Sequence, residues 1–166
     1  MPPILMTDIA VRLAGAGDAH RLDAGLARLS EDLGDVHAAT AETLALAGWR
    51  PSPVFRAQMA ESGNGDLVGV ALYSPCFSTT RGGAGIYVSD LWTAAAVRGQ
   101  GLGRRLLAAA LQDGEAIWGA GFIKLSVYHS SPDALRFYNR MGFSPLGDQH
   151  DLILDAAGCA AMKGGR

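Results

Sequence analysis

Cysteine is nearly absent from this chain of 166 residues: Cys76 and Cys159 are the two that occur, far apart and without a second thiol at metal-ligand spacing. That excludes a disulfide framework or a cysteine metal site, and both are expected to be free thiols in the core. Lysine is scarce as well, with Lys124 and Lys163 alone beside an arginine-dominated basic set. Net charge is −2 and no block of like charges occurs, so no polyanion-binding face, and hence no nucleic-acid partner, is expected. Long apolar runs are missing too. No stretch approaches the roughly 20 residues of a membrane span, and MPPILMTDIAVR has no basic region leading into a long apolar one. A cytoplasmic protein with no membrane partner is the expectation. Trp49, Trp92 and Trp118 have no basic residues interleaved with them and are expected to pack rather than to stack on bases.

What is present fits one domain over residues 1–166, long enough to bury about two-thirds of its unfolded surface. Residues 9–13 alternate as a strand. Asp18 is a good N-cap for a helix carrying Leu22, Leu26, Leu29 and Leu33 on one face. A second helix is predicted from Thr40 to Gly48, and strands over 54–60 and 67–73 joined by a turn around Asn64-Gly65. Further strands are predicted over 86–93 and 122–128, from Phe143, and over 152–154, while the Ala/Gly-rich stretch 156–166 reads as weakly packed. Pattern alone supports an α/β or α+β domain.

The organising stretch is residues 86–111, IYVSDLWTAAAVRGQGLGRRLLAAAL: a strand, a glycine-punctuated loop, then a helix. The first turn of a helix carries N–H groups without intrahelical partners at the positive end of the dipole, which is an anion site. Glycines at alternate positions let the backbone approach the anion, and Arg98, Arg104 and Arg105 add positive charge. The dinucleotide fingerprint fails because Arg104 stands where its third glycine belongs, and the nucleotide P-loop fails because no lysine and hydroxyl follow Gly103. What remains is [QR]-x-x-G-x-[GA], filled by Arg98, Gly101 and Gly103.

That pattern resembles the acetyl-CoA pyrophosphate loop of the GNAT N-acetyltransferase superfamily. A second stretch, SPDALRFYNRMGF from Ser131 to Phe143, resembles the family's N-x-x-A-x-x-F-Y-x-x-x-G-F, with Ala134, Phe137, Tyr138, Gly142 and Phe143 matching and Ser131 replacing the asparagine. The resemblance spans essentially the whole chain. It implies a mixed sheet of about six or seven strands, about four flanking helices, and a notch where the fourth and fifth strands splay apart to admit the pantetheine arm.

Acetyl transfer from a thioester to an amine needs a neutral amine, a stabilised oxyanion and a proton for the thiolate. By resemblance, acetyl-CoA is held by Arg98, Gly99, Gln100, Gly101, Leu102, Gly103 and Arg104, with Ser131 on its arm. A backbone N–H within Leu91, Trp92 and Thr93 faces the thioester oxygen, and Tyr138 protonates the leaving sulfur. Residues 87–93 look most like the diamine and polyamine branch, whose Y-x-E-D-x-[FW]-V is here Tyr87-Val88-Ser89-Asp90-Leu91-Trp92-Thr93. Asp90 matches, but Ser89 stands where the glutamate belongs, and neighbours on a strand face opposite ways unless a bulge intervenes. Asp90 is therefore either a displaced base or a structural carboxylate, and the Ser89 hydroxyl could hold a relaying water.

Glu31, Asp32, Asp35 and Glu42 cluster where this family builds its acceptor groove, which fits a cationic small amine, although a solvated acidic helix end reads the same way. His37 lies in the same loop and imidazole titrates near neutrality, although a lone loop histidine is usually just a surface residue. Three readings stand: acetylation of a small di- or polyamine, acetylation of a protein lysine or N-terminus, and acyl-CoA binding without catalysis. A homodimer is a family expectation, with residues 152–154 as a possible edge.

Overall fold

The computed structural model describes residues 8–147 and 149–164. Two compact units are distinguished, one running through Ser126 and one from Val127. The first holds a five-stranded sheet in sequential order: β1 (Ala10–Leu13), β2 (Arg56–Glu61), β3 (Leu67–Ser78), β4 (Gly83–Thr93) and β5 (Ile123–Lys124). Neighbours from β1 to β4 are antiparallel, and β5 joins β4 in parallel. Helices α1 (Ala19–Leu33), α2 (Ala41–Gly48) and α3 (Leu102–Trp118) complete this unit.

The apolar periodicity sets which helix covers which face. Leu22 and Leu26 of α1 and Leu44 of α2 pack with Met59, Val70 and Trp92. Leu102 and Leu106 of α3 pack with Ile9, Val68, Ala71 and Val97. Val70 and Ala71 are consecutive in β3, so the pleat sends them to opposite faces and a helix layer lies on each. Two bulges interrupt the ladders. Ala60 opposes Gly69 while Glu61 opposes Leu67, leaving Val68 as the extra residue of β3. Leu72 opposes Asp90 while Tyr73 opposes Val88, leaving Ser89 as the extra residue of β4.

Close approach of α3 to β4 depends on Gly114. A Cβ built there lies 2.5 Å from Ile86 Cγ2, and Ile86 is fully buried. Gly114→Val therefore overpacks the contact and is expected to cost about 1–3 kcal/mol, read as a lowered urea midpoint with an unchanged slope. A midpoint at or above that of the parent chain contradicts this packing.

Several expectations are corrected. Five strands form among the described residues, not six or seven, and five α-helices instead of about four. The strand predicted over 122–128 is paired only at Ile123 and Lys124, opposite Ile86 and Tyr87. Beyond those residues no further pairing forms on that edge of β4 among the described residues. In the second unit neither Phe143 nor residues 152–154 form a strand. Pro145 supplies no donor, Gly147 turns the chain at φ 71°, and Leu152 and Ile153 are 92% and 95% exposed, so no neighbouring strand covers them. The edge suggested for a homodimer is thus not a strand.

The stretch read as weakly packed has no buried residue, as expected, but forms a helix, α5 (Ala156–Gly164), started by the Asp155 carboxylate accepting from Gly158 N–H at 2.8 Å. The cysteines are not core thiols, because Cys159 is exposed on that helix and Cys76 is half-buried. Asp18, read as the cap of α1, sits at that position without capping it. Its carboxylate accepts from Gly15 N–H at 2.8 Å and from the Arg12 guanidinium at 2.7 and 2.8 Å. The Arg12 fork, a stronger partner than a helix N–H, holds the Asp18 carboxyl low, at about 2. Thr40, by contrast, does cap α2, accepting from Thr43 N–H at 3.2 Å.

Candidate active site

The pyrophosphate-type loop has the geometry an anion site requires. Gly101 is the N-cap of α3 at φ 88°, Gly99 lies at φ 75°, and no side chain caps the helix. Those φ values belong to the left-handed region that side chains disfavour. A Cβ at either glycine would meet nothing within 4 Å, so the helix end opens onto free space. Leu102 is buried and anchors the first turn, Gly103 lies inside the helix, and Arg104 is exposed. Gln100 Nε2 donates to the Ala96 carbonyl at 3.2 Å, closing the loop on itself.

Arg98 braces the loop from below. Its Nε donates to the Thr93 carbonyl at 3.0 Å, and its terminal nitrogen donates to Asp32 at 2.5 Å. Asp32 also accepts from the indole N–H of Trp92 at 3.1 Å. The end of α1, the end of β4 and the glycine loop are thereby fastened at one carboxylate. Asp32 is thus held by Trp92 and Arg98, and Trp92, buried with Leu22, Leu26 and Leu44, is the packing residue its sequence context suggests.

The bulge resolves how Ser89 and Asp90 sit. Tyr73 and Val88 face α3, as do Ala71 and Leu91, so the extra residue places Ser89 and Asp90 together on the α1/α2 face. Ser89 Oγ donates to Asp90 Oδ2 at 2.6 Å. Asp90 lines a cavity of about 430 Å³ between this face and the two helices. Its walls are mostly apolar, from Leu26, Leu44, Ala47, Phe55 and Leu72, with Ser30, His37 and Thr43 supplying polarity. Glu31, Asp32, Asp35 and Glu42 are not among its lining residues. Asp90 is the carboxylate that faces this space.

From Val88 onward the open edge of β4 carries no strand partner among the described residues. Alternate N–H groups of a strand point to each edge, so at least one within Leu91, Trp92 and Thr93 points to that open edge.

The second motif builds α4 (Pro132–Arg140), with Pro132 at its first position and Ser131 at its N-cap. The Ser131 hydroxyl does not cap the helix, so it is not committed to the backbone of its own turn. Tyr138 stacks edge-on between Phe137 and Phe143, ring centroids 5.0 and 5.4 Å apart. Gly142, at φ 93°, reverses the chain so that Phe143 N–H donates to the Tyr138 carbonyl at 3.1 Å. Burial pushes the Tyr138 phenol up to about 12.

Sequence reasoning missed two things. The Ser89 bulge has no local signal, because neither flank carries glycine. Asp23 and Ser30 were not singled out, yet seven residues is two helical turns, which puts them on one face of α1 with Leu26, over the cavity.

Comparison with known proteins agrees with this geometry. The family model described as the acetyltransferase (GNAT) family matches residues 26–143. A spermine/spermidine N(1)-acetyltransferase of Bacillus subtilis (strain 168) is 29% identical over 86 residues, 51% of this chain and 57% of that protein. The match thus spans just over half of that curated relative. Among solved structures, an integron cassette protein from the mobile metagenome of V. cholerae superposes with a TM-score of 0.75 at 17% identity, covering 94% of this chain and 98% of its own. A ribosomal-protein-alanine N-acetyltransferase from Brucella melitensis biovar Abortus 2308 gives a TM-score of 0.64 at 19% identity, with 89% and 98% covered. An aminoglycoside acetyltransferase from an uncultured soil metagenomic sample gives 0.69 at 18% identity, with 90% and 96% covered. With the family model covering most of the chain, the chain belongs to the acetyltransferase (GNAT) family.

Proposed function

We propose that the protein is an N-acetyltransferase that moves the acetyl group of acetyl-CoA to a small primary amine by direct attack. The observation that carries this is the shared position of Asp90 and the open edge of β4: a carboxylate-bearing cavity lies one residue along the strand from N–H groups aimed into the notch. The uncapped α3 end at Gly101, with Gly99 to Arg104 around it, holds the pyrophosphate by backbone N–H groups and the helix dipole. Arg98 supports that loop through Thr93 and Asp32. Ser131 retains a donor and an acceptor for the cofactor arm. An N–H within Leu91, Trp92 and Thr93 receives the carbonyl oxygen as charge develops on it. Asp90, with Ser89 bonded to it, pairs with the ammonium form of the arriving amine.

Tyr138 serves the departing sulfur. A phenol near 12 keeps its proton throughout the neutral range, while an ordinary thiol lies near 8.5, so complete transfer to thiolate is uphill by roughly 3 to 4 units. Tyr138 therefore acts by donating a hydrogen bond as charge builds on sulfur. Tyr138→Phe is expected to lower kcat by roughly 10- to 100-fold with little change in KM for acetyl-CoA. The parent kcat should not fall between pH 9 and 10, since the phenol remains protonated there. Unchanged turnover in the variant removes Tyr138 from the chemistry.

The cavity offers one carboxylate and apolar walls, which suits a single cationic head on a compact body. The B. subtilis relative favours a second reading, a di- or polyamine, with Glu31, Asp35 and Glu42 steering the extra charges from outside the cavity. Thiol release with alkyl monoamines, diamines, polyamines and lysine-bearing peptides separates these readings. Turnover confined to peptides would move the acceptor to a protein, and cofactor binding without turnover would favour an acyl-CoA-binding module. We further propose a cytoplasmic protein of one domain, free to act as a monomer or homodimer.

A further inference from the structure

We propose that His37, oriented by Asp23, is the group that takes the proton from the acceptor amine; this rests on the acetyl-transfer reading of the same cavity. His37 comes from the loop between α1 and α2 and lines the cavity, as does Ser30, while Asp90 faces it from β4. His37 Nε2 lies 2.8 Å from Asp23 Oδ1, and His37 Nδ1 lies 3.5 Å from Ser30 Oγ. A carboxylate only accepts, so Nε2 carries the hydrogen and neutral His37 presents Nδ1 as a lone pair. The Ser30 contact is too long to occupy that lone pair firmly. Side-chain exposures of 23% for His37 and 30% for Asp23 leave the imidazole a path to return its proton to water.

As side-chain types, an imidazole is roughly 4 pKa units and a carboxylate roughly 6 units less basic than an alkylamine, so the imidazole is the better acceptor of the two. Of the charged groups around His37, Asp23 of α1 bonds it directly and Asp90 of β4 lines the same cavity. The lining residues of α2 and β3, namely Thr43, Leu44, Ala47 and Leu72, carry none.

The amine arrives as an ammonium beside Asp90 and gives one proton to His37 Nδ1. Its freed lone pair forms the C–N bond to the acetyl carbon, the C–S bond breaks, and the electron pair goes to sulfur. Nitrogen loses its second proton as the thiolate gains one, and His37 releases its proton to solvent. Ammonium and thioester thus become amide, thiol and one proton.

His37→Gln keeps a donor for Asp23, and so keeps the tether of the loop, but removes the base. The full-length variant is compared with the parent using an ordinary alkylamine and a fluorinated alkylamine that is already neutral at the assay pH. The expected result is a loss of about 100-fold or more in kcat/KM for the alkylamine and a loss within about 3-fold for the fluorinated one. Retained activity toward the alkylamine, or equal loss toward both, overturns the role of His37 while leaving acetyl transfer standing. A parent chain that releases no thiol with either amine overturns both.

Discussion

Replacing Asp113 with asparagine is expected to lower the unfolding free energy by about 3 kcal/mol, and the melting temperature by roughly 10 °C for a chain of this size. Asp113 reaches from α3 onto the sheet, where Arg56 of β2 donates Nε at 2.5 Å and a terminal nitrogen at 2.7 Å. The Tyr73 hydroxyl donates to the same carboxylate at 2.6 Å and accepts from Gln58 Nε2 at 3.1 Å. Tyr73 is fully buried and Gln58 nearly so, and Trp118 packs edge-on against the Tyr73 ring at 6.4 Å. Burial alone would push the Asp113 carboxyl up, but the Arg56 and Tyr73 hydrogen bonds outweigh it and hold it below the usual carboxylate range. An asparagine leaves the Arg56 charge without its counter-ion in a pocket where only a quarter of the arginine side chain is exposed.

The pH dependence has a definite sign. A depressed folded pKa contributes stability above the ordinary carboxylate value near 4 and loses it as pH falls below. The gap between parent and Asp113→Asn should therefore be full at pH 7 and shrink below pH 4, read from urea unfolding at a series of pH values. A gap under about 1 kcal/mol at pH 7 would contradict the role given to this network.

Gly101→Asp is expected to raise the KM for acetyl-CoA by at least about 100-fold, equivalent to about 2.8 kcal/mol of lost binding, while the fold survives. The position lies at φ 88°, and a Cβ there would have no atom within 4 Å, so the new group projects into open space instead of into the core. Aspartate tolerates left-handed backbone better than most residues and is a favourable N-cap, so α3 itself is not undermined. Its carboxylate stands where the pyrophosphate charge is to be received, and like charges repel across that short distance. A KM within a few-fold of the parent would mean that the α3 end does not receive the cofactor.

Much of this architecture is legible in the sequence because it is locally encoded. The glycine loop announces itself through alternate glycines, of which Gly99 and Gly101 take positive φ, and α1 through leucines at helical spacing. Sequence fails where long-range pairing decides. Residues 122–128 alternate like a full strand, yet β4 leaves them after two pairs. Leu152 to Leu154 read as a strand but have no neighbour to complete one, and the glycine-rich end becomes α5 because Asp155 caps it. That Asp32 pairs with Arg98, 66 residues on in sequence, likewise appears only in the fold. The Ser89 bulge, which places Ser89 and Asp90 on one face, appears only in the strand register.

The most direct measurement is free-thiol release by the full chain from acetyl-CoA, with and without an alkyl primary amine, alongside mass-spectrometric detection of the amide. Amine-dependent thiol release, matched mole for mole by acetylated amine and suppressed in Gly101→Asp, is the predicted result. Thiol release that is independent of amine, or no release at saturating acetyl-CoA across primary amines and peptides, would contradict it.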